Sequence, residues 1–329
     1  MGTLPQIRFQ PAYPGQMGVL GSDVSRGIRT SSAGVVFYVD SSHPNANTVN
    51  DGTDPNNPVS TITAAMARLV AFHALASVQA EGSVIKVAPG TYTDNITIDR
   101  TSYPADCSIV GGANSKFDVV WVPAAGDALT IDQSGWVVDG FHFQPAADGA
   151  GVHLTWAAGA GAEDTYIQNC FFDGRWGTGL YGIELEGAPA NVTVQNNRFA
   201  EFSTGEPCIV VRSCNQASPY QNHFFGNTFQ ECVEYITNIA EGYNACIFQG
   251  NVFAEASGAL AATTTYIDLG GPGIGYNVVT GNIFGGDYSN AGGYTAEGAG
   301  TDNWVGNVAA DVLEAEVADN GFTIAQPAA

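Results

Sequence analysis

Between residues 137 and 311 the chain repeats one short phrase seven times, and this repeat constrains the fold more than any other feature. The copies read VVDGFHFQ, YIQNCFFDG, TVQNNRFAE, HFFGNTFQE, IFQGNVFAE, VVTGNIFGG and NWVGNVAAD. Their last aromatic residues form one column that ends at an alanine: Phe143, Phe172, Phe199, Phe229, Phe253, Phe284 and Ala309. A repeat of a few tens of residues predicts a solenoid, a propeller or an array.

A second column lies two residues before the first and becomes asparagine from the third copy onward. Its members are Phe141, Cys170, Asn197, Asn227, Asn251, Asn282 and Asn307. Each copy is a few alternating residues followed by turn residues, which is the pattern of a short strand. The intervals between the asparagines are 30, 24, 31 and 25 residues. A coil of parallel strands accommodates such variation, because extra residues form loops at a corner.

Parallel stacking in register places identical side chains on neighbouring turns, ~4.8 Å apart. Asparagine amides and aromatic rings are favoured in that geometry, because each amide can donate to one neighbour and accept from the other. We therefore predict an inward-facing phenylalanine stack and an asparagine ladder formed by Asn197, Asn227, Asn251, Asn282 and Asn307.

Three segments that precede the repeat resemble the opening of a known superfamily. They are FYVDSSHPNANTVNDGTDPNNPVSTITAAMARL (37–69), VIKVAPGTYTDNITI (84–98) and SIVGG (108–112). They are similar to the first coils of the pectin-lyase-like right-handed parallel β-helix superfamily. The resemblance implies an all-β fold, a single-stranded right-handed parallel β-helix (solenoid). It does not indicate one function, because this scaffold carries lyases, hydrolases, adhesins and virus spikes.

The repeat and the resemblance together divide the chain into four segments. They are an extended N-terminal docking arm (1–34), a leading segment with a capping α-helix (35–83), the β-helix (84–311) and a C-terminal cap or tail (312–329). The helix is predicted over 60–80, with Ser60 as N-cap. Its apolar face comprises Ile62, Met66, Leu69, Val70 and Phe72. Such a helix would close the open end of the coil. Further strands are predicted at 151–156, 181–187, 208–214 and 264–270.

Charge and composition limit the partners. Ten basic residues against 32 acidic ones give a formal net charge of −22, and no Lys or Arg follows Arg212. Nucleic-acid binding requires clustered cations, so the charge balance argues against that role. No apolar run approaches the ~20 residues of a membrane span. The sequence has no signal-peptide pattern, which predicts a protein made in the host cytoplasm.

The cysteines are predicted to be buried free thiols: Cys107, Cys170, Cys208, Cys214, Cys232 and Cys246.

No catalytic, cofactor-binding or metal-binding set emerges from motif spacing. The resemblance raises the expectation of an aspartate cluster beside an arginine, or of DD, GHG and RxK motifs, and the chain has no DD, GHG or RxK. Glu184 and Glu186, Asp139 and Asp173 are interpreted as solvated carboxylates, with Glu186 paired to Arg212 on the next coil. The five histidines, His43, His73, His142, His153 and His223, show no ligand spacing. Glu201, Glu231 and Glu255 form a column that either splays into solvent or shares a cation.

These observations favour a non-enzymatic structural protein of a bacteriophage virion, namely a capsid decoration or spike protein. It would dock through its N-terminal arm, where Arg8, Arg26 and Arg29 would pair with acidic groups on the virion shell. The expected partners are the major capsid protein or another shell protein, two further copies in a homotrimer, and at most a weakly held carbohydrate. The alternative is a tailspike-like polysaccharide-degrading enzyme, a lyase or a glycoside hydrolase.

Overall fold

The chain forms a parallel β-solenoid in the computed structural model. The residues that the structure describes are 34–75, 80–112, 117–157, 159–175, 178–203, 206–212, 219–238, 242–254, 265–270, 275–285, 302–310 and 322–323. The predicted arm with Arg8, Arg26 and Arg29 lies outside the described residues, as do Cys214 and Glu255. The fold class expected from the repeat is therefore confirmed, whereas the arm stays a prediction.

Three sheets form the walls of the solenoid. Sheet I contains ten strands in spatial order along the stack, all parallel. They are β1 (Val36–Val39), β2 (Val84–Val87), β5 (Ser108–Gly111), β8 (Val137–Asp139), β12 (Tyr166–Gln168), β15 (Thr193–Gln195), β18 (His223–Phe225), β21 (Ile247–Gln249), β24 (Val278–Thr280) and β26 (Asn303–Val305).

Sheet II follows sheet I within each turn and also has ten strands. They are β3 (Gly90–Tyr92), β6 (Val119–Trp121), β9 (His142–Phe143), β13 (Phe171–Asp173), β16 (Arg198–Ala200), β19 (Thr228–Gln230), β22 (Val252–Ala254), β25 (Ile283–Gly285), β27 (Val308–Ala310) and β28 (Phe322–Thr323). The last strand, β28, pairs antiparallel with β27.

Sheet III completes each turn with eight strands. They are β4 (Ile96–Asp99), β7 (Leu129–Asp132), β10 (Ala150–Ala157), β11 (Ala160–Gly161), β14 (Tyr181–Glu186), β17 (Ile209–Arg212), β20 (Glu234–Asn238) and β23 (Thr265–Ile267). β11 pairs antiparallel with β10 and lies off the main order. The four further strands predicted from sequence overlap with β10, β14, β17 and β23, although positions 213, 214 and 264 lie outside the described residues.

The single helix among the described residues, α1, spans Ile62–His73 and packs on β1 and β2 at the start of the stack. It is shorter than the predicted 60–80, and its N-cap is Thr61 rather than Ser60. Thr61 has extended backbone angles, and its side chain accepts a hydrogen bond from the Ala64 amide. Its buried residues are Ile62, Ala65, Met66 and Leu69. No helix in the described part of the chain combines the length and apolarity needed to cross a membrane.

The interior is dominated by the predicted aromatic column. Successive rings of Phe143, Phe172, Phe199, Phe229, Phe253 and Phe284 stack with centroid separations of 5.1, 4.8, 4.9, 4.7 and 5.0 Å. Neighbouring planes differ by 11° or less. Ala309 pairs in register with Phe284, as the repeat predicted. This offset stacking follows from strand register and is favourable for aromatic pairs.

The corner between sheets I and II contains the predicted asparagine ladder. In each step the side-chain oxygen of one asparagine accepts from the backbone amide and the side-chain amide of the preceding one. Asn251 Oδ1, for example, lies 3.0 Å from the Asn227 backbone nitrogen and 3.1 Å from its Nδ2. The corner needs only two residues, because the first has a left-handed backbone, such as Gly250 with φ 61° and Gly281 with φ 62°.

A second ladder, which was not predicted from the sequence, lies at the corner between sheet III and sheet I. It contains the buried residues Val192, Asn222, Cys246, Asn277 and Asp302. Asn222 and Asn277 each accept from the amide of the preceding turn, at 2.8 and 2.9 Å, and Asp302 accepts from Asn277. Both ladders satisfy backbone amides at buried corners, where unpaired polar groups are costly. The five described cysteines are buried free thiols, as predicted.

Candidate functional site

A cluster of ionisable side chains lies on the outer face of sheet III, and strand register assembles it. His153 on β10 is directly opposite Glu184 on β14, and Thr155 is opposite Glu186. On the other side, His153 is opposite Thr130 of β7, and Asp127 precedes that strand. Consecutive turns therefore place three carboxylates around one imidazole. We call Asp127, His153, Glu184 and Glu186 the His153 cluster.

The imidazole of His153 has a different neighbour at each nitrogen. Nδ1 lies 2.8 Å from Asp127 Oδ2 in a hydrogen bond. Nε2 lies 3.0 Å from Glu186 Oε2 and 4.0 Å from Glu184 Oε1. Nε2 is nevertheless buried without a hydrogen-bond partner, because the Glu186 contact has the distance of an ion pair without hydrogen-bond geometry. The imidazole is therefore fixed at Nδ1 by a hydrogen bond, whereas Nε2 makes no hydrogen bond.

Burial and charge shift the pKa values of the cluster. Burial raises the pKa of Glu184 above its ordinary value, although the charges of His153 and Arg212 oppose this. Burial alone would lower the pKa of His153, but the hydrogen bond to Asp127 and the charges of Glu184 and Glu186 raise it overall. Burial would likewise raise the pKa of Asp127, yet the hydrogen bond from His153 lowers it. The site thus places a histidine with a raised pKa beside a glutamic acid whose pKa is also raised.

The sequence interpretation of these residues as a solvated face is wrong for Glu184. Its residue exposure is only 5%, whereas the side chain of Glu186 is 44% exposed. Glu186 and Arg212 are opposite each other in the strand register, as predicted. The Arg212 guanidinium, however, lies 3.5 Å from Glu184 Oε1. Glu184 points outward from sheet III, but it is buried because the side chains of His153 and Arg212 cover it.

The interpretation as a solvated carboxylate is also wrong for Asp139, and Asp173 is only partly exposed. Asp139 is fully buried and accepts hydrogen bonds from Gln168 at 3.1 Å and Asn169 at 3.0 Å. Asp173 lies 3.2 Å from His142 Nε2 on the outer face of sheet II. Burial would raise the pKa of Asp173, and the hydrogen bond from His142 lowers it. Asp139 belongs to sheet I and Asp173 to sheet II, whereas the His153 cluster lies on sheet III.

Two members of the predicted glutamate column, Glu201 and Glu231, lie at turns. Glu201 and Glu231 have left-handed backbones, with φ of 67° and 55°. In the described residues, the group with metal-ligand geometry is instead Asp127, His153 and Glu184, whose ligand atoms lie within 4.8 Å of one another. Histidine spacing in the sequence did not reveal this group. Nitrogen and carboxylate donors of this kind suit Zn²⁺ and similar ions.

A second surface feature is a wall without carboxylates where sheets I and II meet. It consists of the solvent-facing residues of β18, β21, β24 and β26 in sheet I and of β19, β22 and β25 in sheet II. They are His223, Phe225, Ile247, Gln249, Val278, Thr280, Asn303, Val305, Thr228, Gln230, Val252, Ala254 and Ile283. None of these described residues is Asp or Glu, and burial lowers the pKa of His223, which favours its neutral form. We call this surface the carboxylate-free wall.

Comparison with known proteins agrees with the architecture. The chain is similar in structure to DFA-IIIase from Arthrobacter chlorophenolicus A6, with a TM-score of 0.51 and 14% identity over 75% of this chain and 65% of that one. This similarity shows the fold alone. The chain accordingly has a parallel β-solenoid fold, which is consistent with the resemblance of its opening segments to the pectin-lyase-like superfamily. No family model and no curated protein matches its sequence.

Two further solved structures resemble it more distantly. Pectate lyase Pel9A has a TM-score of 0.43 and 18% identity over 79% of this chain and 64% of that one. ORF18 of Geobacillus virus E2 has a TM-score of 0.41 and 12% identity over 84% of this chain and 61% of that one. The chain therefore spans slightly less than two thirds of the length of these three structures.

Proposed function

We propose that the chain is a non-enzymatic structural component of a bacteriophage virion, a capsid decoration or spike protein. The observation that carries this proposal is the carboxylate-free wall. A protein with 32 acidic residues and a net charge of −22 repels its own copies over most of its surface. Along this wall, solvent-facing carboxylates are replaced by Ile, Val, Phe, Thr, Gln and Asn. Depletion of charge is typical of the buried centre of protein interfaces.

The occupant that fits the wall is a second copy of this chain. Val252 and Ile283 are neighbours in register on sheet II and are 36% and 44% exposed, and Val305 on sheet I is 51% exposed. Because the wall continues around a two-residue corner, sheet I of one copy can pack against sheet II of the next. Head-to-tail contacts form a ring when the rotation between copies closes, and we propose a closed ring of three copies, a homotrimer.

The lateral contact is tested by placing a charge on the wall. Ile283→Lys would bury an ammonium group between copies, so we expect the trimer to dissociate into monomers in sedimentation velocity. Thr97→Lys, on the exposed outer face of β4, is the matched control and should leave the trimer intact. A wild-type monomer or dimer, or a trimer that survives Ile283→Lys, would contradict this arrangement.

Attachment to the shell is assigned to residues 1–34. This segment holds three of the ten basic residues, Arg8, Arg26 and Arg29, in an otherwise acidic chain. These cations would pair with acidic groups of the major capsid protein or another shell protein, and the segment would order on that surface. The proposed location of the protein is therefore the virion.

Deleting residues 2–33 should leave the solenoid folded but prevent it from joining virus particles. The physical reason is that β1 begins at Val36, so the deletion removes no described strand. The measurement is the amount of truncated protein in purified particles, with circular dichroism as the folding control. Particles decorated at full occupancy by the truncated chain would show that the arm is not the anchor.

The His153 cluster favours one competing role, a polysaccharide-degrading enzyme. A buried glutamic acid with a raised pKa suits a general acid, and Glu186 provides a second carboxylate on the same strand. The virion proposal expects no release of reducing ends or unsaturated sugars from pectin, alginate or host capsule. Release that disappears in Glu184→Gln would replace it with the enzyme.

A further inference from the structure

The unsatisfied edge of His153 is the observation that leads beyond the proposed role. Asp127 fixes the proton on Nδ1, since a carboxylate at 2.8 Å can only accept. Nε2 faces the Glu186 and Glu184 carboxylates at 3.0 and 4.0 Å. Three carboxylates around one imidazole favour a positive charge at this edge, and a metal ion can supply that charge in place of the Nε2 proton.

We propose that His153, Glu184 and Glu186 bind one divalent transition-metal ion, of the Zn²⁺ class, at the Nε2 edge of the imidazole. Asp127 acts as a positioning residue behind the ring. This inference is independent of the virion role, because it concerns sheet III rather than the carboxylate-free wall.

The distances fit a small ion with short bonds. Zinc binds nitrogen and carboxylate oxygen at about 2.0–2.1 Å, and tetrahedral geometry then separates its ligand atoms by about 3.3 Å. The separations from His153 Nε2, 3.0 Å to Glu186 and 4.0 Å to Glu184, lie on either side of that value. Glu186 lies outside the group whose ligand atoms are already within 4.8 Å of one another, so its exposed side chain would rotate towards His153 and Glu184, with water as a fourth ligand. Calcium is a weaker candidate, because it prefers six to eight oxygen ligands.

The surroundings supply an orienting partner and an entrance. Metal-bound histidines usually donate their second nitrogen to a carboxylate, which is the position that Asp127 holds. Asp127 is itself fixed by the Ala150 backbone amide at 2.7 Å. Glu186 is the exposed member of the cluster and can move to admit an ion. Arg212, 3.5 Å from Glu184 Oε1, competes with the metal for that oxygen.

The test uses the full-length chain without an affinity tag, stripped of metal, and titrated with Zn²⁺ by calorimetry. We expect one ion per chain in the wild type and no saturable binding in His153→Gln. Asp127→Asn should weaken binding by about 10–100-fold, the usual effect of removing an orienting carboxylate. Arg212→Gln should tighten it, because Glu184 loses a competing cation.

The matched control is His142→Gln, since His142 has a similar exposure, 12% against 14%, and one carboxylate neighbour, Asp173. It should bind Zn²⁺ like the wild type. An anomalous-diffraction peak beside His153 Nε2 would place the ion without any variant, and Glu186→Gln provides an exposed substitution if His153→Gln fails to fold. Absence of binding by the wild type, equal loss in both histidine variants, or a peak elsewhere would overturn the proposal.

Discussion

Replacing Asn251 with alanine is expected to lower the free energy of unfolding by about 4 kcal/mol, because it leaves several buried polar groups unpaired. Asn251 Oδ1 accepts from the backbone nitrogen and Nδ2 of Asn227, and its own Nδ2 donates to the Phe224 carbonyl at 2.9 Å. Asn251 Nδ2 also donates to Asn282 Oδ1 at 3.0 Å, so four groups lose a hydrogen bond in Asn251→Ala. Each orphaned group costs roughly 1–3 kcal/mol when water cannot reach it.

Chemical denaturation in urea measures this loss. Thr97→Ala is the control, since Thr97 is exposed on β4 and lies outside the carboxylate-free wall, and its effect should stay within about 0.5 kcal/mol. The slope of the transition should not change, provided that the solenoid still unfolds as one cooperative unit. If the two variants were equally stable, the ladder would be a by-product of packing rather than a source of stability.

The ladder and the phenylalanine stack could be predicted because their signal is local and repeated. The third to sixth copies of the phrase each hold the left-handed corner residue, the asparagine and the phenylalanine within a few positions, as in Gly250, Asn251 and Phe253. Parallel register then carries each column from turn to turn. The variable intervals did not obscure this signal, because loops absorb the differences.

The second ladder was missed although its spacing was visible. Val192, Asn222, Cys246, Asn277 and Asp302 are separated by 30, 24, 31 and 25 residues, the same intervals as the first ladder. The residue type changes along this column, so similarity alone did not reveal it. The shared requirement is a side chain that fits a buried corner, and only Asn222, Asn277 and Asp302 also accept a backbone hydrogen bond.

The His153 cluster could not be found from spacing, because it depends on the register of sheet III. Val152 is opposite both Leu129 and Ile183, which lie 23 and 31 residues away in sequence. No phrase recurs on these strands to set that register in advance. The burial of Glu184 was missed for the same reason, since it depends on His153 from one turn and Arg212 from another.

Phe229→Ala is expected to destabilise the solenoid by about 4 kcal/mol, within the usual range for removing a buried phenylalanine. The ring lies in the middle of the stack, 4.9 Å from Phe199 and 4.7 Å from Phe253, and Tyr235 packs against its edge at 5.6 Å. Truncation removes its buried apolar surface and leaves a cavity between two turns. Because strands above and below are held in register, the walls cannot collapse to fill it.

Phe229→Leu separates burial from ring stacking at the same position. Leucine retains much of the apolar volume but loses both stacked pairs, each worth about 0.5–1.5 kcal/mol, so we expect an intermediate loss of about 2 kcal/mol. Thr91→Ala, on the exposed side of β3 and outside the carboxylate-free wall, should change stability by less than about 0.5 kcal/mol. If the loss of stability is largest for Phe229→Ala, smaller for Phe229→Leu and smallest for the control, the phenylalanine column is the source of this stability. Equal losses for Phe229→Leu and Phe229→Ala would instead mean that ring geometry matters more than buried volume, because leucine fills most of the cavity that alanine leaves.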